Sequence, residues 1–377
     1  MKKEVSILIT GDFCPVNGVS ELVSNKDYAP LFNEFLLTIA RSDLAITNLE
    51  CPLTNAVNKI IKTGPLMKAD IQSVEALSFA GIRLVTLANN HIMDYGIDGL
   101  RSTIEACKSY GIDYVGVGED LNAARRVFET HIKGRNIAIL NYAENEFSTT
   151  HGYKPGANPF DLINAYYDII SARKIADFVI VIIHGGNEQY NLPSPRLKKA
   201  FRYFADQGAD IVLGHHSHCY SGYEIYNDVP LFYGLGNFIF HKPSKKDAPW
   251  NYGYAVEILI NESLTFNLIP YSQCNDKMGI RPLDGRLRDE FFNTIQRLNT
   301  IIEDDDLLAT SFKDYCRRMS RMYSSFLEPH SISFLHYLRN RRLFPSVISK
   351  KKRKLYLNLI RCESHRDVVL DLLSSDM

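Results

Sequence analysis

The segment ADIVLGHHSHCY, residues 209–220, runs apolar up to Gly214 and then sets three histidines in four positions. Imidazoles at that density can ligate a metal or exchange protons near neutral pH. An apolar run closed by a polar cluster recurs five more times. ILIT is followed by Gly11-Asp12, LAIT by Asn48-Leu49-Glu50, LVTLA by Asn89-Asn90-His91, VIVII by His184-Gly185-Gly186, and LFYG by Leu235-Gly236-Asn237-Phe238. Taken singly, an Asp or Asn after a strand is a common turn former. The coincidence carries the inference: five of the eleven histidines (His91, His184, His215, His216, His218) stand at such ends, with two carboxylates and several amides. Carboxylate, amide oxygen and imidazole together suit divalent Mn, Fe or Zn. There is no Cys-x-x-Cys pair of the kind that holds structural zinc.

In an extended segment, residues i and i+2 share a face. His216 and His218 are therefore expected to point into one pocket, each able to take one of two metals, while His215 points the other way as a packing or supporting residue. Asp94 has two readings: it orients His91 by a hydrogen bond, or it caps the helix that starts near Tyr95. Lys68 either meets an anionic substrate group or stands solvated. Cys14 reads as packed rather than coordinating.

Up to about residue 270, short β-rich runs alternate with helical patterns. Strands are expected at 5–10, 42–47, 82–87, 112–117, 136–142, 177–183, 209–213 and 230–235. Helices are expected at 70–81, 96–111 and 194–208, the last opened by Ser194-Pro195. YAVEILI and LTFNLIPY, separated by Asn261-Glu262-Ser263, read as a hairpin. Continuous apolar strands alternating with helices predict a layered α/β fold, in which the polar ends of the strands can converge on one edge. From about residue 283 the pattern turns helical, so residues 1–275 are expected to form the main domain and 276–377 a helical C-terminal region.

The composition fits an ordinary folded protein: 45% hydrophobic, 23% charged, formal net charge zero. A zero balance gives no reason to expect a nucleic-acid partner. Seven scattered cysteines are not a disulfide framework and suit a reducing compartment. The N-terminal apolar run is too short for a membrane span and lacks a cleavage site, so a cytoplasmic location is expected. Residues 339–354 carry eight basic side chains and no acid. A solvated helix face is the first reading of that run, and weak peripheral contact with an anionic membrane is the second. Cys362 and His365, in RCESHRDVVLDLL, read as residues of an amphipathic helix and not as ligands.

Seven pieces occur together and in order: GDFCP, SDLAITNLECPLT, LANNHIMDYGIDGL, YVGVGEDLNAAR, HGGNEQY, GADIVLGHHSHCYSGYE and YGLGNF. Over roughly residues 5–260 the chain resembles the CapA/PgsA-type capsule (poly-γ-glutamate) synthesis proteins of the calcineurin-like metallophosphoesterase fold. The resemblance implies a layered αββα sandwich and two divalent metal ions. It implies Asp12 and His218 on the first metal, Glu50 bridging both, and Asn90, His184 and His216 on the second. His91 would be the unligated catalytic histidine, assisted by Asp94. Asn48, Lys68, Asn89 and Asn237 are expected on the substrate side. Where related phosphoesterases carry Asp-x-His, the third position here is Cys14; where the family has His-Trp-Gly, this chain has His184-Gly185-Gly186.

The implied function is metal-dependent hydrolysis of a phosphoester in capsule or surface-polymer synthesis, on an anionic small molecule or polymer and in company with the capsule-synthesis machinery. Two alternatives stand beside it: a non-catalytic accessory subunit that binds polymer through metal, and a metal-dependent amide hydrolase.

Overall fold

The computed structural model describes residues 4–327 and 349–374. Its central strands are buried on both faces, and alternation sorts their side chains into different cores. Ile7 and Ile9 of the strand Val5–Phe13, Ile180 and Ile182 of Phe178–His184, and Ile211 and Leu213 of Ile211–His215 meet in one core between two sheets. The intervening residues face outward, Leu8 to one helical layer and Val179, Val181 and Val212 to the other. The result is a layered α/β fold, as the strand pattern predicts, in the αββα arrangement that the resemblance implies.

The first sheet runs, edge to edge, Ile280–Pro282, Leu264–Gln273, Tyr252–Ile260, Val5–Phe13, Leu44–Leu49, Leu84–Thr86, Asp113–Val115. The short strand Asn237–Ile239 pairs in parallel with the end of Val5–Phe13. The second sheet runs Tyr223–Tyr226, Val229–Phe232, Ile211–His215, Phe178–His184, Arg135–Ala143, Phe128–Ile132. The expected hairpin is present as the antiparallel pair Tyr252–Ile260 and Leu264–Gln273. Ser194 caps the helix Pro195–Asp206, its hydroxyl accepting from the Leu197 amide at 3.2 Å.

The C-terminal region is helical where it is described: Gly285–Glu303, Asp305–Leu327, Lys350–Arg361 and Glu363–Ser374. These helices share the cores of the main domain. Phe291 and Ile295 enter the core between the sheets, and Leu308, Tyr315 and Val368 enter the outer core of the second sheet. The strand Ile280–Pro282, beyond the expected boundary at 275, still pairs with the first sheet. Of the basic run 339–354, residues 339–348 lie outside the described residues. Among the described residues, no helix is long and apolar enough to cross a membrane.

Strict alternation would put Phe13 on the same face as Ile9. Instead Ile9 faces the second sheet and Phe13 the outer helices, because the register shifts between Ile9 and Asp12. Such a bulge re-aims side chains, and this one turns Asp12 inward. Gly236 crosses directly over it: the Asp12 amide donates to the Gly236 carbonyl at 3.1 Å, and a Cβ on Gly11 would collide with that carbonyl. Gly11→Ala is expected to destabilise the fold by on the order of 3 kcal/mol, read by urea denaturation. A change below about 0.5 kcal/mol would contradict this account of the crossing.

Candidate metal centre

His184 and His215 are the last residues of neighbouring parallel strands and stand in register. Asp12 is paired in register with Asn48 on one side and Asn237 on the other. The next three residues after the His215 strand do not continue it. His216 and His218 adopt positive φ, 91° and 54°. Their imidazoles share one pocket because the chain turns twice through the left-handed region, and not by the strand alternation expected from the sequence. Such backbone costs about 1–3 kcal/mol per residue and persists only where the surroundings hold it.

The structure brings Asp12, Glu50, Asn90, His184, His216 and His218 together, all of them buried. Two three-donor groups form, Asp12–Glu50–His218 and Glu50–His184–His216, each with its ligand atoms within 4.8 Å of one another. Glu50 belongs to both. Its Oε1 lies 3.5 Å from His218 Nε2 and 3.6 Å from His184 Nε2. His184 Nε2 is also 3.0 Å from His216 Nδ1 and 3.1 Å from Asn90 Oδ1, so four donors converge on that point. His218 Nδ1 is held by Asn237 Oδ1 at 3.0 Å, which leaves Nε2 directed at Glu50. A hydrogen bond on the far nitrogen is how proteins orient metal-binding imidazoles.

Electrostatics sharpen the fit. Glu50 is 0% exposed, and neither of its oxygens has a hydrogen-bond partner among the described residues. Burial, and next the Asp12 charge, push its carboxyl well above the ordinary range. Burial alone would raise Asp12 too. The hydrogen bond from His215 and the fields of His215, His184 and His218 outweigh that and hold it below the usual carboxylate range. Burial, then the neighbouring His216, pushes His184 well below its ordinary value, and burial also lowers His218. Neutral imidazoles are the donor state that a divalent cation requires, and Glu50 supplies a carboxyl that gives up its proton when one binds. The residues present therefore fit a divalent cation beside Glu50.

Beside this cluster, His91 Nδ1 lies 2.7 Å from Asp94 Oδ2. Asp94 does not cap the following helix; it also takes Lys62 Nζ at 2.5 Å and the Met67 amide at 2.7 Å. Lys62 is a buried cation in a loop without periodic pattern, and nothing in the sequence singled it out. Burial, then the Lys62 charge, lowers His91, against the pull of Asp94.

The residues expected on the substrate side make contacts within the protein. Asn48 Nδ2 donates to Asp12 Oδ1 at 2.7 Å and lies 3.1 Å from His184 Nδ1. Asn89 Oδ1 accepts from the His91 and Ile92 amides, and Asn237 Nδ2 donates to the Trp250 carbonyl at 3.1 Å. These three spend their polar atoms holding the chain and the other site residues. Lys68 Nζ donates to the Ala56 carbonyl at 2.9 Å and lies over the Tyr95 ring. His215 turns to Asp12 Oδ1 at 3.0 Å as a supporting residue. Cys14 is packed in the outer core, its thiol pushed well up by burial and Cys51. Glu146 and Glu188 were not anticipated. Glu146 Oε1 lies 3.9 Å from His216 Nε2. Glu188 is lowered, despite its desolvation, by His218, His216, His91 and His365.

A model of the bacterial capsule synthesis protein PGA_cap matches residues 6–242, more than half the chain. The chain belongs to this PGA_cap family. It is 30% identical over 247 residues to the capsule biosynthesis protein CapA of Bacillus anthracis, covering 63% of this chain and 60% of that one. It is 31% identical over 240 residues to the PGA biosynthesis protein CapA of Bacillus subtilis (strain 168), covering 63% of each. The chain thus spans about three fifths of the length of the curated PGA_cap relatives it matches. Solved structures align more loosely. A hypothetical protein from Thermus thermophilus gives a TM-score of 0.44 at 15% identity, over 74% of this chain and 100% of that one. A candidate 5'-nucleotidase from Staphylococcus aureus in complex with alpha-ketoglutarate gives 0.45 at 11%, over 78% and 58%. All six clustered residues and His91 lie inside the PGA_cap match; the C-terminal helices lie outside it.

The buried charge of Glu50 generates a stability test. In the metal-free chain Glu50 holds its proton more tightly folded than unfolded, where its value is about 4.3. Stability is therefore lost as pH rises above that value. Metal-free Glu50→Gln is expected to melt above metal-free wild type at pH 7.5, by a margin that grows with pH. Mn2+ is expected to raise the Tm of wild type and not that of the variant. An equal Mn2+ response in both would contradict the placement of the cations.

Proposed function

We propose that this PGA_cap chain hydrolyses phosphoesters at a pair of divalent cations, on an anionic substrate of capsule or surface-polymer synthesis. The single observation that carries the reading is Glu50: a buried carboxylate shared by two donor groups, with both oxygens unpartnered. On this reading Asp12 and His218 hold one cation, Asn90, His184 and His216 the other, and Glu50 both. When bound, such a pair supplies Lewis-acid activation of water and neutralises charge on phosphoryl oxygens.

The chain's own residues supply the proton handling. Asp94 holds His91 by Nδ1, so Nε2 is the exchanging atom. Burial and Lys62 keep the ring neutral at rest, and Asp94 stabilises the imidazolium once a proton arrives. His91 Nε2 accepts a proton released from the attacking water and returns it to the leaving oxygen as the phosphorus–oxygen bond breaks. Asp94 and Lys62 are positioning residues in this scheme, as are Asn48 and Asn237 through Asp12 and His218.

The test is a turnover assay of the purified, Mn2+-loaded chain on an aryl phosphomonoester, an aryl phosphodiester and a γ-glutamyl peptide. Turnover of an ester is expected, abolished in Glu50→Gln together with metal binding. His91→Ala is expected to lower kcat about 10²–10⁴-fold with metal content unchanged. Full activity in Glu50→Gln would overturn the assignment. Turnover of the peptide alone would move the reading to amide hydrolysis. A metal-loaded chain inert on all three would move it to polymer binding without cleavage.

A further inference from the structure

Outside the six clustered residues, a second kind of donor group closes where the C-terminal helices reach the main domain. Glu146 comes from the loop after the strand Arg135–Ala143, Cys362 follows the helix Lys350–Arg361, and His365 lies in the first turn of Glu363–Ser374. A carboxylate oxygen, the thiol sulfur and an imidazole nitrogen of these three lie within 4.8 Å of one another. Glu146 is 9% and Cys362 1% exposed.

We propose that Glu146, Cys362 and His365 form a further cation site, for a borderline divalent ion of the zinc type, distinct from the oxygen-and-nitrogen pair around Glu50. Mixed thiolate, imidazole and carboxylate donors are the zinc set, and three protein ligands leave one position of a tetrahedron open.

Three features of the surroundings favour a cation there. The neighbouring acids divide by role. Glu144 is held by Arg196 at 2.7 Å, Ser364 at 2.9 Å and the Gly186 amide at 3.0 Å, and also takes the Cys362 thiol at 3.9 Å. Among the described residues the Glu146 carboxylate has one long hydrogen bond, 3.4 Å from Asn90 Nδ2, while the Arg361 guanidinium takes its main-chain carbonyl instead. The phenol of Tyr323 lies 2.7 Å from His365 Nδ1. With Nδ1–H donating to that oxygen, Nε2 keeps its lone pair for a metal, the usual support of a ligating imidazole. The Cys362 sulfur is buried, with the Glu146 and His365 donor atoms inside the same 4.8 Å group.

The site is placed as a clamp. The segment is already tied down by Asn145 to Glu363 at 2.8 Å and by Arg196 to Asp367 at 2.7 Å. Glu146 reaches to 3.9 Å from His216. An ion here would fasten helices outside the family match to the mouth of the centre inside it.

The experiment is a Co2+ titration of the metal-free full chain, read by thiolate-to-cobalt charge-transfer absorption in the near ultraviolet. The donors around Glu50 contain no sulfur, so they do not contribute to that band. Wild type is expected to show the band from one Co2+ per chain. Cys362→Ser is expected to lose it, and His365→Ala to need at least about tenfold more Co2+. Glu50→Gln and Cys14→Ser are expected to keep it, which separates failure of this site from failure of the pair. Zinc-edge X-ray absorption on wild type needs no substitution: one sulfur at about 2.3 Å is expected. No band and no sulfur scatterer in the folded wild type, or a band that survives Cys362→Ser, would overturn the proposal.

Discussion

A carboxylate taken wholly out of water with no hydrogen bond to either oxygen costs several kcal/mol unless a positive charge answers it. Glu50 is in that position, and much of the surrounding structure is arranged around it. The imidazoles of His184 and His218 approach it from two sides without bonding to it. Asp12, bonded by Asn48 and His215, raises its cost through like charge. The chain has assembled surplus negative charge and neutral donors at one place, which is the electrostatic form of a site for cations.

The scaffold that makes this tolerable is the pair of sheets. Parallel strands ending in register deliver His184 beside His215, and the bulge before Asp12 converts a residue due on the outer face into one on the inner face. Local strain is accepted where the ligands need it: two left-handed excursions aim His216 and His218 together. The cores on both sides of each sheet provide the rigidity that holds them. Around the donors lies a ring of side chains whose amides and charges fix orientation, with Asn48, Asn237, His215, Asp94 and Lys62 the principal members.

The strand ends were legible because an apolar run followed by Asp, Asn or His is a local signal, and local signals survive in a sequence. The layered class followed from strands apolar on both faces. What was not legible depends on register and on loops. Asn48 and Asn237 hold Asp12 and His218 only because three strands align them, and no spacing encodes that. Lys62 sits in an irregular loop. The strands Phe128–Ile132 and Tyr223–Tyr226 lie at the two edges of the second sheet, where FETHI and YEIY are short and lack the continuous apolar run of the central strands. The helix Leu162–Arg173 did leave a signal: Asp161 caps it by accepting from the Ile163 and Asn164 amides. The shared pocket of His216 and His218 was expected for a strand geometry that the backbone does not adopt. The approach of Cys362 and His365 to Glu146 was not legible, because helical periodicity hides what lies across the interface.

The central claim is that Glu50 lies between two cations. Anomalous diffraction at the manganese edge, from crystals grown with Mn2+, tests it most directly. The account predicts two peaks about 3.5–4 Å apart, one against Asp12 and His218, the other against Asn90, His184 and His216, with Glu50 touching both. Density at these residues without an anomalous peak, or peaks that Glu50 does not touch, would contradict it.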